Sequence, residues 1–241
     1  MNFLLIGYGK MGQTIEGILK ERGHNVVGII DKDNRSDLDT INPSTVDVAI
    51  EFTQPSSAYD NIKTCLDKGI RIVSGTTGWL DKKDIIEAST QDNNTAFFYA
   101  SNYSLGVNIF FELNKKLAKM MSAFNAEYKS SMVEIHHTQK LDAPSGTAIT
   151  LAEGVIENFE GVDKWTLQGE DKAVDNGIEI EAVREPNVPG THEISYTSEI
   201  DRIDIKHTAF TRKGFALGAV LAGEWLHKKE GIFGMQDMLS L

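Results

Sequence analysis

Apolar residues follow two different rhythms along this chain. Up to about residue 105 they gather in short continuous runs, at residues 3–6, 26–30, 46–52, 71–74 and 96–100. Such runs suit strands covered on both faces, as in a parallel sheet. Between them lie segments of helical period. One carries Ile15, Ile18 and Leu19 and ends near Gly23, one runs from Ala58 to Lys68 and is closed by Gly69, and one covers residues 81–91. Strands that alternate with helices predict a parallel α/β sheet.

Beyond residue 105 the rhythm changes. Residues 106–122 read as one long helix, with Val107, Phe110, Phe111, Leu113, Leu117, Met120 and Met121 as its apolar positions. Strand-like stretches follow at 131–137, 177–184, 191–198 and 201–208, which predict an antiparallel sheet backed by helices. Residues 149–156 predict a short helix, and 214–228 a final amphipathic one whose Gly218, Ala219, Ala222 and Gly223 permit close packing. The fold class expected is α/β. Residues 1–104 with 214–241 would form a Rossmann-type parallel sheet, and 105–213 an inserted α+β domain.

Composition narrows the partners. Against 35 acidic residues stand 24 basic ones, a net charge of -11, so there is no cationic excess to displace counterions from nucleic acid or to bind an anionic membrane. Cys65 is the sole cysteine, so no intrachain disulfide can form and a reducing compartment fits. Residues 1–6 lack the basic leader and apolar length of a signal peptide, and no run reaches the roughly 20 apolar residues of a spanning helix. The expected location is the cytoplasm.

The first chemical signal follows the first strand. Gly7, Tyr8, Gly9, Lys10, Met11 and Gly12 spell G-x-G-x-x-G between a strand and a helix. There the first glycine permits a tight turn, the second lets a pyrophosphate approach the backbone, and the third lets helix and strand pack closely. The helix N-terminus offers N–H groups to the phosphates. Asp31 ends the second strand about 20 residues on, where a carboxylate can take up ribose hydroxyls. Asp31 favours NADH, whereas Lys10, Lys32 and Arg35 could pair with the 2′-phosphate of NADPH, so either cofactor fits. Gly75, Thr76 and Thr77 follow one strand and Ala100, Ser101, Asn102 and Tyr103 follow another, at the carboxyl ends where such sheets bind ligands.

The densest chemistry lies in residues 134–148, which hold Glu134, His136, His137, Lys140, Asp142 and a Pro-Ser-Gly-Thr turn. Imidazoles suit proton transfer near neutral pH, and Lys140 can pair with a carboxylate or give a proton. If the strand ends at these histidines, both imidazoles could line one cleft. Ser145, Gly146 and Thr147 precede a helix, so their N–H groups and hydroxyls could clamp a carboxylate. Glu134, His136, His137 and Asp142 are possible metal ligands. Adjacent histidines lack the helical spacing of zinc proteases and no thiol cluster exists, so no metal is expected.

These motifs resemble the dihydrodipicolinate reductase (4-hydroxy-tetrahydrodipicolinate reductase) family. The resemblance runs from about residue 3 to about 227. It includes residues 7–12, Glu51-Phe52-Thr53, 75–78, 100–106, 134–148 and His207-x-Ala209-x-x-Arg212-x-x-Phe215-Ala216-x-Gly218-Ala219. It implies NAD(P)H-dependent reduction of a small dicarboxylate, 4-hydroxy-tetrahydrodipicolinate, in the diaminopimelate route to lysine. It further implies His136 as proton donor and acceptor, Lys140 as second donor, and His137, Ser145, Gly146 and Thr147 on the substrate's carboxylates. Residues 7–12, Asp31, 75–77 and 100–103 would meet the cofactor, and the second domain would close on the first by a hinge and build a homotetramer. The chain departs from the family pattern at three places. Its phosphate loop is one residue shorter, Ala100-Ser101-Asn102-Tyr103 replaces Ala-Pro-Asn-Phe, and residues 184–192 keep an Arg…Gly-x-His frame without the glycine-rich start. The rival readings are a dehydrogenase of a linear amino acid, such as aspartate or homoserine, and a non-catalytic NAD(P) sensor.

Overall fold

A computed structural model describes residues 1–169, 175–211 and 213–241; Arg212 of the C-terminal motif lies outside the described residues. In chain order the elements begin with β1 (Asn2–Ile6), α1 (Lys10–Glu21), β2 (Asn25–Ile30), α2 (Asp37–Thr40), β3 (Val48–Glu51), α3 (Pro55–Asp67), β4 (Ile72–Ser74), α4 (Lys83–Asp92) and β5 (Ala96–Tyr99). They continue with α5 (Leu105–Met121), β6 (Lys129–His136), α6 (Gly146–Ile156), β7 (Lys164–Leu167), β8 (Gly177–Arg184), β9 (Gly190–Thr197) and β10 (Arg202–Ala209). The chain ends with α7 (Lys213–Leu226), β11 (Gly231–Phe233) and α8 (Met235–Leu239). Two compact units result: Met1–Leu105 with Lys213–Leu241, and Gly106–Arg212.

In the first unit six strands lie in the order β11-β5-β4-β3-β1-β2, all parallel. The winding reverses between β1 and β3, and at such a switch point parallel sheets bind ligands beyond the strand ends. One face is covered by α1 and α7, through Ile15, Leu19, Ala219, Val220 and Leu226 against Phe3, Leu5, Ile50 and Phe98. The other face carries Leu38, Ile62, Cys65, Leu66 and Ile86 against Leu4, Ile6, Ala49 and Ile72. The small residues of α7 do what their size suggested: a Cβ on Gly218 would fall 1.7 Å from the Tyr103 carbonyl oxygen, and one on Gly223 would fall 2.7 Å from the Phe3 ring. One expectation needs correcting. The second strand is not buried on both faces, because β2 is an edge strand whose Val27 is 41% exposed.

The second unit holds a five-stranded sheet in the order β10-β9-β6-β8-β7. It is mixed rather than antiparallel. β10, β9 and β6 pair antiparallel, whereas β8 runs parallel to β6 and β7 runs parallel to β8. The chain leaves β6 through α6, and a helical crossover returns the next strands in the same direction. Leu151, Ala152 and Val155 of α6 pack with Met132, Ile178, Ile180, Ile194 and Tyr196 in this unit's core. Among the described residues no helix is long and apolar enough to cross a membrane.

Candidate active site

The turn after β1 is shaped by backbone crowding. Gly7 has φ +95°, and a Cβ there would come 2.0 Å from the Phe52 carbonyl oxygen, where the loops following β1 and β3 meet. A Cβ on Gly12 would lie 2.1 Å from the Gly7 oxygen. Both positions therefore demand glycine, the first for its conformation and both for space. Gly9 caps α1 in extended backbone with no side-chain hydrogen bond, so the first turn's N–H groups are left to an outside acceptor. Tyr8 is drawn to Glu16 by a short hydrogen bond, while Gly9 and Lys10 are exposed and Met11 is half-buried. These residues fit a dinucleotide pyrophosphate.

At the end of β2, Asp31 accepts from the Lys32 N–H at 2.8 Å and stays exposed beside Gly7, whose N–H donates to Ile30. Arg35, a candidate partner for a 2′-phosphate, instead binds Asp39 at 3.0 Å and Thr64 at 2.9 Å. The loops after β3 and β4 are tied by a residue that sequence reasoning left without a role. Glu51 is fully buried and accepts from Thr53 N–H at 2.9 Å, Ser74 at 2.6 Å and Thr76 at 2.7 Å. The Thr76 hydroxyl is thereby committed to the protein, and Gly75 abuts the Phe52 ring, whereas Thr77 is exposed. Tyr103 likewise turns inward. It is 2% exposed and donates to the Ser74 carbonyl at 2.6 Å, which leaves Ser101 as the exposed member of its loop, with Ala100 and Asn102 half-buried.

The proton-donor segment follows from the register of β6. Its buried positions alternate, Met132, Glu134, His136, so one face of the strand passes from apolar to charged toward its end. β9 sets His192 opposite Glu134, and β8 sets Arg184 opposite His136. Glu134 is fully buried. Its Oε1 accepts from Arg184 Nη2 at 3.0 Å and from the Ser145 N–H at 3.2 Å, and its Oε2 lies 2.7 Å from His136 Nδ1. Burial alone would raise this carboxyl, but His136, Ser145 and Arg184 outweigh it and hold the pKa down to about 2. His192 packs edge-on against His136, with ring centroids 5.1 Å apart, and shares a hydrogen bond with Ser145 Oγ at 3.1 Å. Burial, then the nearby His136 charge, pushes His192 down to about 4, so it is neutral at pH 7.

Several expected site residues are placed differently from one another. β6 ends at His136, and His137, just beyond the strand, lines a hollow with Pro186, Asn187, Val188 and Pro189. Lys140 Nζ pairs with Asp142 at 2.7 and 2.9 Å, and Arg184 braces the same loop by donating to the Asp142 carbonyl at 2.8 Å. Ser145 is buried and spent within the protein, its N–H on Glu134 and its Oγ capping α6 at the Ala148 N–H. Gly146 is exposed and Thr147 half-exposed on that first turn. Arg184 and His192 had a signal in the Arg…Gly-x-His frame, but their partner Glu134 emerges only from strand register. Glu134, His136 and His192 also have ligand atoms within 4.8 Å of one another. Two donors on one tetrahedral ion with bonds near 2.1 Å would sit about 3.4 Å apart. The 2.7 Å Glu134–His136 contact and the adjacent guanidinium suit a proton better.

An all-parallel sheet with a G-x-G-x-x-G turn at its switch point, together with a separate unit bearing a carboxylate-braced imidazole, defines a Rossmann-type, nicotinamide-dependent oxidoreductase. The family models for the N-terminus and C-terminus of dihydrodipicolinate reductase match residues 1–103 and 106–239. The chain belongs to the dihydrodipicolinate reductase family. It is 52% identical over 240 residues to the 4-hydroxy-tetrahydrodipicolinate reductase of Christiangramia forsetii, covering 100% of this chain and 98% of that protein. It is 37% identical over 210 residues to that of Methanosarcina acetivorans, covering 85% and 78%. Among solved structures, a dipicolinate-bound dihydrodipicolinate reductase from Paenisporosarcina sp. TG-14 shares the fold, with a TM-score of 0.75, 23% identity and 98% of each chain covered. The linear amino-acid dehydrogenases and the NAD(P) sensor are not favoured by these matches.

Proposed function

We propose that the protein reduces 4-hydroxy-tetrahydrodipicolinate to tetrahydrodipicolinate in the diaminopimelate route. His136 would serve as proton donor and acceptor and Lys140 as second donor, with His137, Gly146 and Thr147 on the substrate's carboxylates. The observation that carries this reading is the buried Glu134–His136 contact at 2.7 Å within a chain whose two halves match the two family models. Bound nicotinamide supplies the hydride, which joins ring C4. The 4-hydroxyl leaves as water, so one hydride and one proton are consumed for each water released. The protein's part is to hold the dicarboxylate and to move the proton. With Nδ1 turned to Glu134, His136 Nε2 is the atom available for that transfer. Clamping both carboxylates gives a positional advantage that can reach about 7 kcal/mol.

The first unit is the dinucleotide-binding domain, and the second binds substrate and builds a homotetramer of a cytoplasmic enzyme. The cofactor is NADH or NADPH: Asp31 stands exposed at the strand end for the adenosine ribose, and Lys10 and Lys32, also exposed, supply positive charge for a 2′-phosphate. Steady-state oxidation of NADH and NADPH with freshly generated 4-hydroxy-tetrahydrodipicolinate tests the reading. Turnover with inhibition by pyridine-2,6-dicarboxylate is the expected result. Turnover with aspartate or homoserine, or none with any of the three substrates, would overturn it. Light scattering of the eluted protein reads the tetramer.

A further inference from the structure

Glu134 is fully buried, and three groups on three separate elements converge on its carboxylate. Arg184 comes from the end of β8, the Ser145 N–H from the start of α6, and His136 from two positions along β6. The two oxygens divide the work: Oε1 takes the guanidinium and the amide, and Oε2 takes the imidazole. We propose that Glu134 is a positioning residue for the reaction, clamping His136 by Nδ1 so that Nε2 is presented for proton exchange, while Arg184 and Ser145 fix the clamp. This rests on the reading of His136 as the proton donor. A carboxylate oxygen held 2.7 Å from one ring nitrogen restricts the ring's rotation and sets which nitrogen faces away from it.

The remaining surroundings of the ring agree with that assignment. His192 stands edge-on to His136 and is anchored at its far side by Ser145 Oγ, so the ring is walled on that flank by a neutral imidazole. Gly190 borders the other nitrogen: a Cβ there would lie 3.1 Å from His136 Nε2. The absence of a side chain at Gly190 leaves room at the atom that must exchange the proton. Rotation of the ring would break the Glu134 contact and bring carbon against the carboxylate. Arg184 adds a second function, because its contacts to Glu134 and to the Asp142 carbonyl link the clamp to the loop that carries Lys140. Both proposed proton donors are thus referred to one guanidinium.

The test is a kinetic cycle of Glu134→Gln, His136→Gln and the double variant in the full-length enzyme, with 4-hydroxy-tetrahydrodipicolinate and NADH. Glu134→Gln is expected to lower kcat about 10- to 100-fold, with KM for both substrates within about twofold. The double variant should be no slower than His136→Gln alone, because a clamp has nothing to act on once the imidazole is gone. Glu134→Asp, which keeps the charge at shorter reach, should fall between wild type and Glu134→Gln, and it takes over the cycle if Glu134→Gln does not fold. Wild-type kcat in Glu134→Gln, or equal losses in both backgrounds, would overturn the clamp while leaving His136 as donor. Wild-type turnover in His136→Gln would instead overturn the donor assignment, and the clamp with it.

Discussion

Glu134 carries a charge in a place with no solvent, and its neighbours make that tolerable. A buried ion left without a partner costs several kcal/mol, so Arg184 and the Ser145 amide are required for folding as well as for order. Because the folded carboxyl titrates near 2 against an ordinary value of 4.5, its stabilisation is fully present above pH 4.5 and is lost as pH falls toward 2. Urea unfolding of wild type and Glu134→Gln should therefore show a stability gap that narrows steadily between pH 4.5 and 2; a gap that ignores pH would contradict the assignment. Two further changes separate the proposed donors. His136→Gln should collapse kcat with KM little changed, and Lys140→Ala should raise KM and lower kcat together. The types of these residues were legible from their neighbours in sequence. Their directions were not, because His192 and Arg184 reach Glu134 only through the pairing of β6 with β9 and β8.

At the scale of elements, legibility tracked length and burial. α1, α3 and α5 were readable because each repeats its helical period over ten or more residues, and β1 because its apolar run is continuous and buried. β7, β11 and α8 were missed: β11 is only half-buried and β7 partly exposed, so neither forms the continuous apolar run that marked the equally short β3, β4 and β5, and the five residues of α8 carry almost no period. The mixed direction of the second sheet was also hidden, because strand direction depends on what the connection does and not on the strand's own residues. Helix α7 shows the opposite case, where small residues foretold contact. Gly218→Ala would set a methyl group 1.7 Å from the Tyr103 carbonyl. It is expected to destabilise by about 3 kcal/mol or more, read as a lowered Tm. Gly190→Ala makes a useful contrast. Its 3.1 Å approach to His136 should cut kcat while leaving Tm within a few degrees of wild type. A similar fall in Tm for both variants would mean that Gly190 serves packing alone.

Over the whole molecule, the first unit is assembled from both ends of the chain, with α7, β11 and α8 joining strands laid down more than a hundred residues earlier. That return was readable from the small-residue helix, but the extra strand beside β5 was not. Removing residues 230–241 should leave β5 as an open edge and strip Met235 from the core beneath it. Weaker NADH binding and aggregation on heating are expected, measured by fluorescence titration and light scattering; unchanged affinity would show that β11 is dispensable. The interrupted order also has a consequence for synthesis. A ribosome delivers β1 to β5 with α1 first, but the part of the sheet face that α7 covers, over β3, β4 and β5, must wait until the entire second unit has been made. At an elongation rate of about 5–20 residues per second, that part of the face stays uncovered for roughly 5 to 20 seconds. The nascent chain is therefore most vulnerable in its nucleotide-binding half, and slowing translation across residues 106–212 should increase its need for a chaperone.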